Sequence, residues 1–338
     1  MDSVQITADD LREQLMAYFG SWLSENSSRI TVDSIIRVAL QKDSRMAPLN
    51  ELAADLKKFE ERGRPIHKVV AAKEATEMWD LNGAPGVCVI GDLVIRAKEI
   101  ASQAGVSLIG LRNSSGVHEL SQYVEDLADD GFLSIFFWNG GSFTTVPYGS
   151  SEPFFGTNPI GYGIPTQSRP IVADFATSQI PFRNLMIALQ DGSDVPPGSG
   201  MDNSGVESTD PTKIYDATGD DMVRLRPMGG GAKGSAIMLL AEVLSGALVG
   251  GVMAREATDD PFTPEEFGGL LICIDVRAFG FGDEFRTKVD TMANQIRSSK
   301  AAPGFEKISL PGDLSHARSI ENGGFLNVVP ELIEILSF

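Results

Sequence analysis

Histidine and cysteine are scarce in this chain: three and two in 338 residues. Cys88 and Cys273 sit in separate apolar runs, GVCVIG and LLICIDV. Buried free thiols in a reducing compartment fit that setting better than a disulfide. The three histidines, His67, His118 and His316, are scattered and show no metal-ligand spacing, so no metal is expected. Basic charge is also short. Lys and Arg total 28 against 46 Asp and Glu, a net charge of -18. Such a chain repels phosphate backbones, which excludes nucleic acid as an expected partner. The opening MDSVQITADD has neither a basic nor an apolar signal region, so a secretory signal is not expected and a cytoplasmic location is. Residues 234–254, GSAIMLLAEVLSGALVGGVMA, approach membrane-spanning length. Glu242 near their middle would cost about 3 kcal/mol in a bilayer, and no second span follows. A buried core helix is the expectation, with no membrane partner. No GxGxxG follows a strand, so there is no Rossmann fingerprint, and no internal repeat is present.

What is there is ordinarily globular: 42% hydrophobic and 22% charged, with 35 glycines that point to many turns. The length allows two or three domains. Helical periodicity predicts helices over 8–23, over 31–41 with Thr31 as N-cap, and over 49–59, so residues 1–65 form a helical unit. Residues 68–80 and 93–104 read as helices flanking the turn at 82–86. VSLIGL (106–111) reads as a strand that exits into Arg112-Asn113-Ser114-Ser115-Gly116. A helix at 119–129 and a strand at 132–138 follow. Further on, 182–190 and 283–298 read as helices and 270–276 as a strand. Residues 191–211, rich in Gly, Pro, Ser and Asp, read as a long surface loop of the kind that often serves as a lid. The expected division is 1–65, then 66–118 with 290–338 as a support domain, and 119–289 as a ligand domain.

Residues 155–178, FGTNPIGYGIPTQSRPIVADFATS, read as two strands joined by a Pro-Thr-Gln-Ser turn. Small polar residues at their ends either cap ordinary loops or let a polar ligand approach the backbone. Further on, RPMGGGAKG (226–234) feeds a helix. Glycines before a helix N-terminus, with a lysine among them, make an anion cradle, although the spacing is not that of a P-loop.

Five pieces occur in one order over most of the chain: GTNP at 156–159, DFATS at 174–178, the Asp-rich loop at 202–211, GGAKG at 230–234, and LPGD at 310–313. In that order they resemble the malate/L-lactate dehydrogenase-2 (sulfolactate dehydrogenase-like) oxidoreductases. The resemblance implies an α/β, non-Rossmann fold. A largely antiparallel cofactor-domain sheet packs against a helical domain completed by the C-terminus. It also implies a homodimer that binds NADH or NADPH between domains. By motif, the cofactor contacts would be Asn158, Asp174, Phe175, Ala176, Thr177, Ser178, Gln179, Ala232, Lys233, Gly312, Asp313 and Leu314. Thr177 and Ser178 would offer hydroxyls, Asn158 an amide and Lys233 a charge. Ser44, Asn113 and Thr157 would meet the substrate.

The chain departs from the family pattern on the substrate side. Arg45 stands where the family's catalytic histidine is expected, Leu49 replaces an arginine, and Gly116 and Ala232 replace two further histidines. His118 lies two positions beyond the second of these. Carbonyl reduction needs a proton donor, and a guanidinium does not give up its proton, although it binds carboxylates well. Three readings stand. A cyclic imine acid arrives already protonated, with Arg45 holding its carboxylate. His118 swings in as donor for a 2-oxo acid. The chain binds a nucleotide or metabolite without hydride transfer, or catalyses another reaction. The bland counterparts are His118 as a helix cap, Arg45 as a partner of Asp43 or Glu51, Asp174 as a turn cap, and His67 as structural. The expected substrate is a small carboxylate bearing C=N or C=O beside the carboxyl group.

Overall fold

The computed structural model describes residues 3–42, 48–140, 143–253 and 267–337. The strands are β1 (Val4–Thr7), β2 (Lys68–Lys73), β3 (Thr76–Asp80), β4 (Val106–Ser114), β5 (Phe132–Trp138), β6 (Ile160–Ile164), β7 (Ile171–Phe175), β8 (Gly200–Met201), β9 (Glu207–Ser208), β10 (Phe267–Asp275) and β11 (Phe325–Val328). The helices are α1 (Ala8–Phe19), α2 (Glu25–Gln41), α3 (Pro48–Glu61), α4 (Ile90–Ala104), α5 (Ser121–Asp129), α6 (Phe182–Asp191), α7 (Pro211–Ile214), α8 (Ala232–Ser245), α9 (Gly282–Ser298), α10 (Asp313–Glu321) and α11 (Pro330–Leu336).

A seven-stranded sheet in the order β2-β3-β4-β10-β5-β6-β7 organises the molecule. Every pairing in it is antiparallel except β3 with β4. The mixed α/β class and the largely antiparallel sheet agree with the sequence expectation. Helices α4 and α5 pack on β4, β5 and β6, and α2 packs on both of them. One apolar core runs from Leu11 through Phe136 and Leu271 to Leu336. The C-terminus returns to the start of the chain, where β11 pairs with β1 and α11 packs on α3.

Several local readings are corrected. Residues 68–80 form the β2–β3 hairpin, not a helix. In β3 the side chains alternate, with Glu77 and Trp79 turned inward, and this two-residue period outweighs helix propensity. Helix α2 begins after Ser24, whose hydroxyl accepts from the Ser27 amide. Thr31 is no cap; it is buried within the helix and accepts from the Gly91 amide at 3.0 Å. The 191–211 stretch contains the small β8–β9 hairpin, closed by Asp202, which accepts from the Ser204 and Val206 amides.

Helix α8 is the largest correction, because it is not a buried core helix. The stretch Ala232–Val249 is apolar and long enough to cross a membrane by composition, yet only 39% of it is buried. Gly234, Met238, Ala241, Glu242 and Ser245 face inward, while Ile237, Leu239, Leu240 and Val243 face outward. A helix that is apolar on nearly all sides gives no periodic signal for which side is in.

Candidate functional site

Three sequence-distant segments lie along β7 and its exit. The first is the exit of β7 itself, residues 174–179. The second is the glycine-rich loop before α8. Its Gly229 amide donates to Gln179 Oε1 at 2.7 Å, and the Gln179 amide donates to the Arg226 carbonyl at 2.8 Å. Gly229 and Gly230 both hold left-handed backbones, φ 68 and 63, which suits glycine and turns the chain sharply into the helix. Arg226 braces this loop by donating to the Gly230 carbonyl at 3.1 Å and to Glu207. The third segment is the turn before α10. A Cβ on Gly312, whose φ is 87, would approach the Val172 carbonyl oxygen to 3.2 Å. That backbone therefore packs directly on β7.

Arg169, in the β6–β7 turn, secures the third segment. It donates to the Gly312 carbonyl at 3.1 Å and to Asp313 Oδ1 at 2.5 Å. Arg297 reaches the same carboxylate at 2.9 Å. Burial tends to raise the Asp313 carboxyl, but Arg297, the Leu310 amide and Arg169 outweigh it and hold the group below its usual range. Asp313 is thus a structural hub, and Leu314 beside it is exposed. Ala232 and Lys233 lie exposed at the start of α8. Phe175 and Ala176 are half-buried, with the Phe175 ring set edge-on to Tyr162.

Other predicted residues have committed side chains. The Thr177 hydroxyl donates to the Thr157 and Asn158 carbonyls at 3.0 Å, and the Ser178 hydroxyl donates to the Ile180 carbonyl at 2.7 Å. Asn158 is fully buried with φ 40. Its oxygen accepts from the Gly140 amide at 3.1 Å and its nitrogen donates to Glu242 at 2.7 Å. Thr157 presents its carbonyl to Thr177 and is half-buried. Asn113 donates to Asp80 at 2.9 Å, and Arg112 reaches the same carboxylate at 3.1 Å. Burial alone would raise the Asp80 carboxyl, yet these partners and the Asn82 amide hold it low. His118, with φ 60, bonds through Nε2 to Asp55 at 2.7 Å, and its side chain is only 7% exposed. His67 stacks on Trp79, and His316 is exposed on α10. Ser44 and Arg45 lie outside the described residues. Among the described residues no group of acidic, His or Cys side chains is placed to hold a metal.

Sequence reasoning missed the group at the centre of this region. Lys42, at the end of α2, lines three neighbouring hollows of about 590, 330 and 470 Å³. Its Nζ is 2.7 Å from Glu119 Oε2. The 330 Å³ hollow is also lined by Asp174, Phe175, Gly312, Ser121 and Arg169. Asp174 Oδ2 accepts from the Ser121 amide, the first of α5, at 3.0 Å. The Asp174 carboxyl is pushed up to about 7. Burial is the main cause and the charge of Glu119 adds to it, against Lys42 and the Ser121 amide. Nothing at the sequence level marked Lys42 or Glu119. Each is a single charged residue at a helix end, where solvent-facing charges are ordinary.

Comparison with known proteins bears on the family and the fold. The model of a family described as malate/L-lactate dehydrogenase matches residues 24–330. The chain is 34% identical over 234 residues to the delta(1)-pyrroline-2-carboxylate/delta(1)-piperideine-2-carboxylate reductase of Pseudomonas syringae pv. tomato. That alignment takes in 66% of this chain and 63% of the reductase. It is 24% identical to the malate dehydrogenase of Pyrococcus abyssi over 86% of this chain and 88% of that protein. The structure of sulfolactate dehydrogenase from Methanocaldococcus jannaschii superposes with a TM-score of 0.80 at 24% identity, covering 98% of this chain and 95% of that one. At that identity the superposition speaks for the fold.

Proposed function

Because the chain belongs to the malate/L-lactate dehydrogenase family of oxidoreductases, we propose that it uses NADH or NADPH to reduce a small carboxylate bearing C=N or C=O beside its carboxyl group. The observation that carries this reading is the convergence on β7 of the three segments that the motif resemblance assigns to the cofactor. Residues 174–179, Ala232 with Lys233, and residues 312–314 would hold the dinucleotide. When bound, it supplies the hydride. Lys233 places a positive charge near the helix N-terminus where a pyrophosphate would gain most. Thr177, Ser178 and Asn158 shape the wall through the main chain they fasten. Arg45, with Ser44, Asn113 and Thr157, belongs to the substrate side of the proposal.

A cyclic imino acid is the favoured substrate class. None of the three histidines lines a hollow around Lys42, and a protonated imine makes little demand on a donor. The Pseudomonas syringae relative is named for substrates of that kind. His118, tied to Asp55 and buried, is poorly disposed to act as donor, so the 2-oxo-acid reading through His118 ranks second. Binding of a nucleotide or metabolite without hydride transfer is the other outcome.

The protein is read as a cytoplasmic homodimer. Both cysteines are buried free thiols, and the outward apolar side of α8 is a surface that a second copy would cover. The test of function is a fluorescence titration with NADH and NADPH, followed by a panel of cyclic imino acids and 2-oxo acids. Nucleotide oxidation on an imino acid supports the proposal. Binding without oxidation on any member of the panel supports a non-redox role.

A further inference from the structure

We propose that Arg318, on the side of α10 that meets the end of α2, binds a second acidic group of the substrate, so that the favoured substrate is an imino or oxo diacid. The inference rests on the oxidoreductase reading above and narrows its substrate class.

The position of Arg318 follows from helix geometry. Gly312 and Ser315 line the 330 Å³ hollow together with Asp174 and Phe175. Arg318 lies three residues beyond Ser315, on the same face of α10 and about 4.5 Å further along its axis. It lines the 590 and 470 Å³ hollows, and Lys42 lines all three. The end of α10 is pinned to the end of α2, because Asn322 Nδ2 donates to the Leu40 carbonyl at 2.6 Å. The guanidinium is therefore carried on a fastened helix, next to the hollow that borders the proposed cofactor wall.

The charges around these hollows leave Arg318 unmatched. Among the described residues, the cations that line them are Lys42, Arg169 and Arg318. Lys42 faces Glu119 at 2.7 Å, and Arg169 faces Asp313 at 2.5 Å. The Arg318 side chain makes no hydrogen bond or ion pair among the described residues. Glu321 lines the 590 Å³ hollow and Asp191 and Asp194 line the 470 Å³ hollow, yet none of the three pairs with it. The chain carries 46 acidic residues against 28 basic ones, so a shortage of acids does not account for this.

A guanidinium presents a fixed fork of donors that matches a carboxylate, and it keeps its charge at any working pH. Arg318 lines the two hollows of 590 and 470 Å³ and not the 330 Å³ one. That placement suits an acidic group carried at a distance from the reacting carbon, while the carboxyl beside C=N or C=O stays with Arg45 in the reading above. Hollows of this size admit the longer acid.

The experiment has a readout that does not require turnover. Picolinate and dipicolinate are aromatic analogues, with one and two carboxyl groups, of the cyclic imino acids. Both are titrated calorimetrically into the nucleotide-free and the nucleotide-saturated protein. At low salt the wild type is expected to bind dipicolinate at least about tenfold more tightly than picolinate. Arg318→Ala should bring that ratio to about one, and Arg318→Lys should keep part of it, since the charge remains and the fork does not. Circular dichroism should show an unchanged fold, because the side chain has no partner to lose. In turnover, the ratio of kcat/KM for a cyclic imine dicarboxylate to that for the monocarboxylate should fall by about tenfold in Arg318→Ala. A wild-type probe ratio near one overturns the proposal. An Arg318→Ala variant that weakens both probes alike overturns it too, since the second acid is then not what Arg318 holds. A loss confined to NADPH affinity, with NADH spared, assigns Arg318 to a cofactor phosphate and likewise overturns it. Failure of the wild type to bind either nucleotide refutes the oxidoreductase reading instead, and the probe ratio in the nucleotide-free protein still decides for or against Arg318.

Discussion

Gly229 and Gln179, fifty residues apart in sequence, are joined by a 2.7 Å hydrogen bond from the glycine amide to the glutamine side chain. That bond couples the exit of β7 to the loop that opens α8. It fixes two segments that are unremarkable alone in one position relative to each other. The expected result of Gln179→Ala is a looser loop and nucleotide binding weakened by about 1 kcal/mol, or roughly fivefold. Fluorescence titration measures it, and unchanged affinity would detach this contact from cofactor binding.

Lys233 is exposed at the first turn of α8. Lys233→Ala should weaken nucleotide binding by roughly three- to tenfold at low salt. The deficit should shrink toward zero as ionic strength rises past about 0.5 M, because an exposed charge contact is screened. A deficit independent of salt points to lost packing rather than charge.

Asn158 presents the opposite case, a fully buried amide bound to Gly140 and Glu242. Asn158→Ala strips hydrogen bonds from a buried carboxylate and places alanine at a left-handed φ that asparagine tolerates better. Urea denaturation should show a loss of about 2–4 kcal/mol with little change in slope. A loss under about 0.5 kcal/mol would mean the network is not structural.

The pH dependence of stability follows from the raised Asp174 carboxyl. Its ordinary value is 3.8 and its folded value about 7, so between these the folded chain keeps a proton that the unfolded chain has released. Stability therefore falls as pH rises through that window and levels off above it. In Asp174→Asn this contribution is gone. The Tm difference, variant minus wild type, should become more positive from about pH 4 to about pH 8. A constant difference contradicts the raised carboxyl.

The outward side of α8 exposes Leu239 and Leu240 at 51% each, while Glu242 is 1% exposed. An inverted distribution of this kind is expected where a second copy supplies the missing cover. Light scattering should give a dimer for the wild type and a monomer for Leu240→Glu. A monomeric wild type would remove the dimer from the account.

Legibility in the sequence followed the physics of each element. Strands with short apolar runs, such as 132–138 and 160–164, were plain because nothing competed with the reading. The hairpin at 68–80 was not, because Ala, Lys and Glu favour helix locally and only the inward turn of Glu77 and Trp79 decides otherwise. The orientation of α8 was hidden by its apolarity on nearly every side. The fold came from the order of motifs, which no single periodicity supplies. At the site, the cofactor-side segments were legible as motifs, but Lys42 and Glu119 were not. Their meaning comes from a tertiary contact between residues 77 positions apart. The hydroxyls of Thr177 and Ser178 looked free in sequence because a string of residues does not show which carbonyls will lie in reach.

Fluorescence titration of the purified protein with NADH and with NADPH tests the central claim most directly. The account predicts saturable binding of at least one nucleotide, weakened in Lys233→Ala at low salt. Absence of binding by both, in a folded protein, would contradict it.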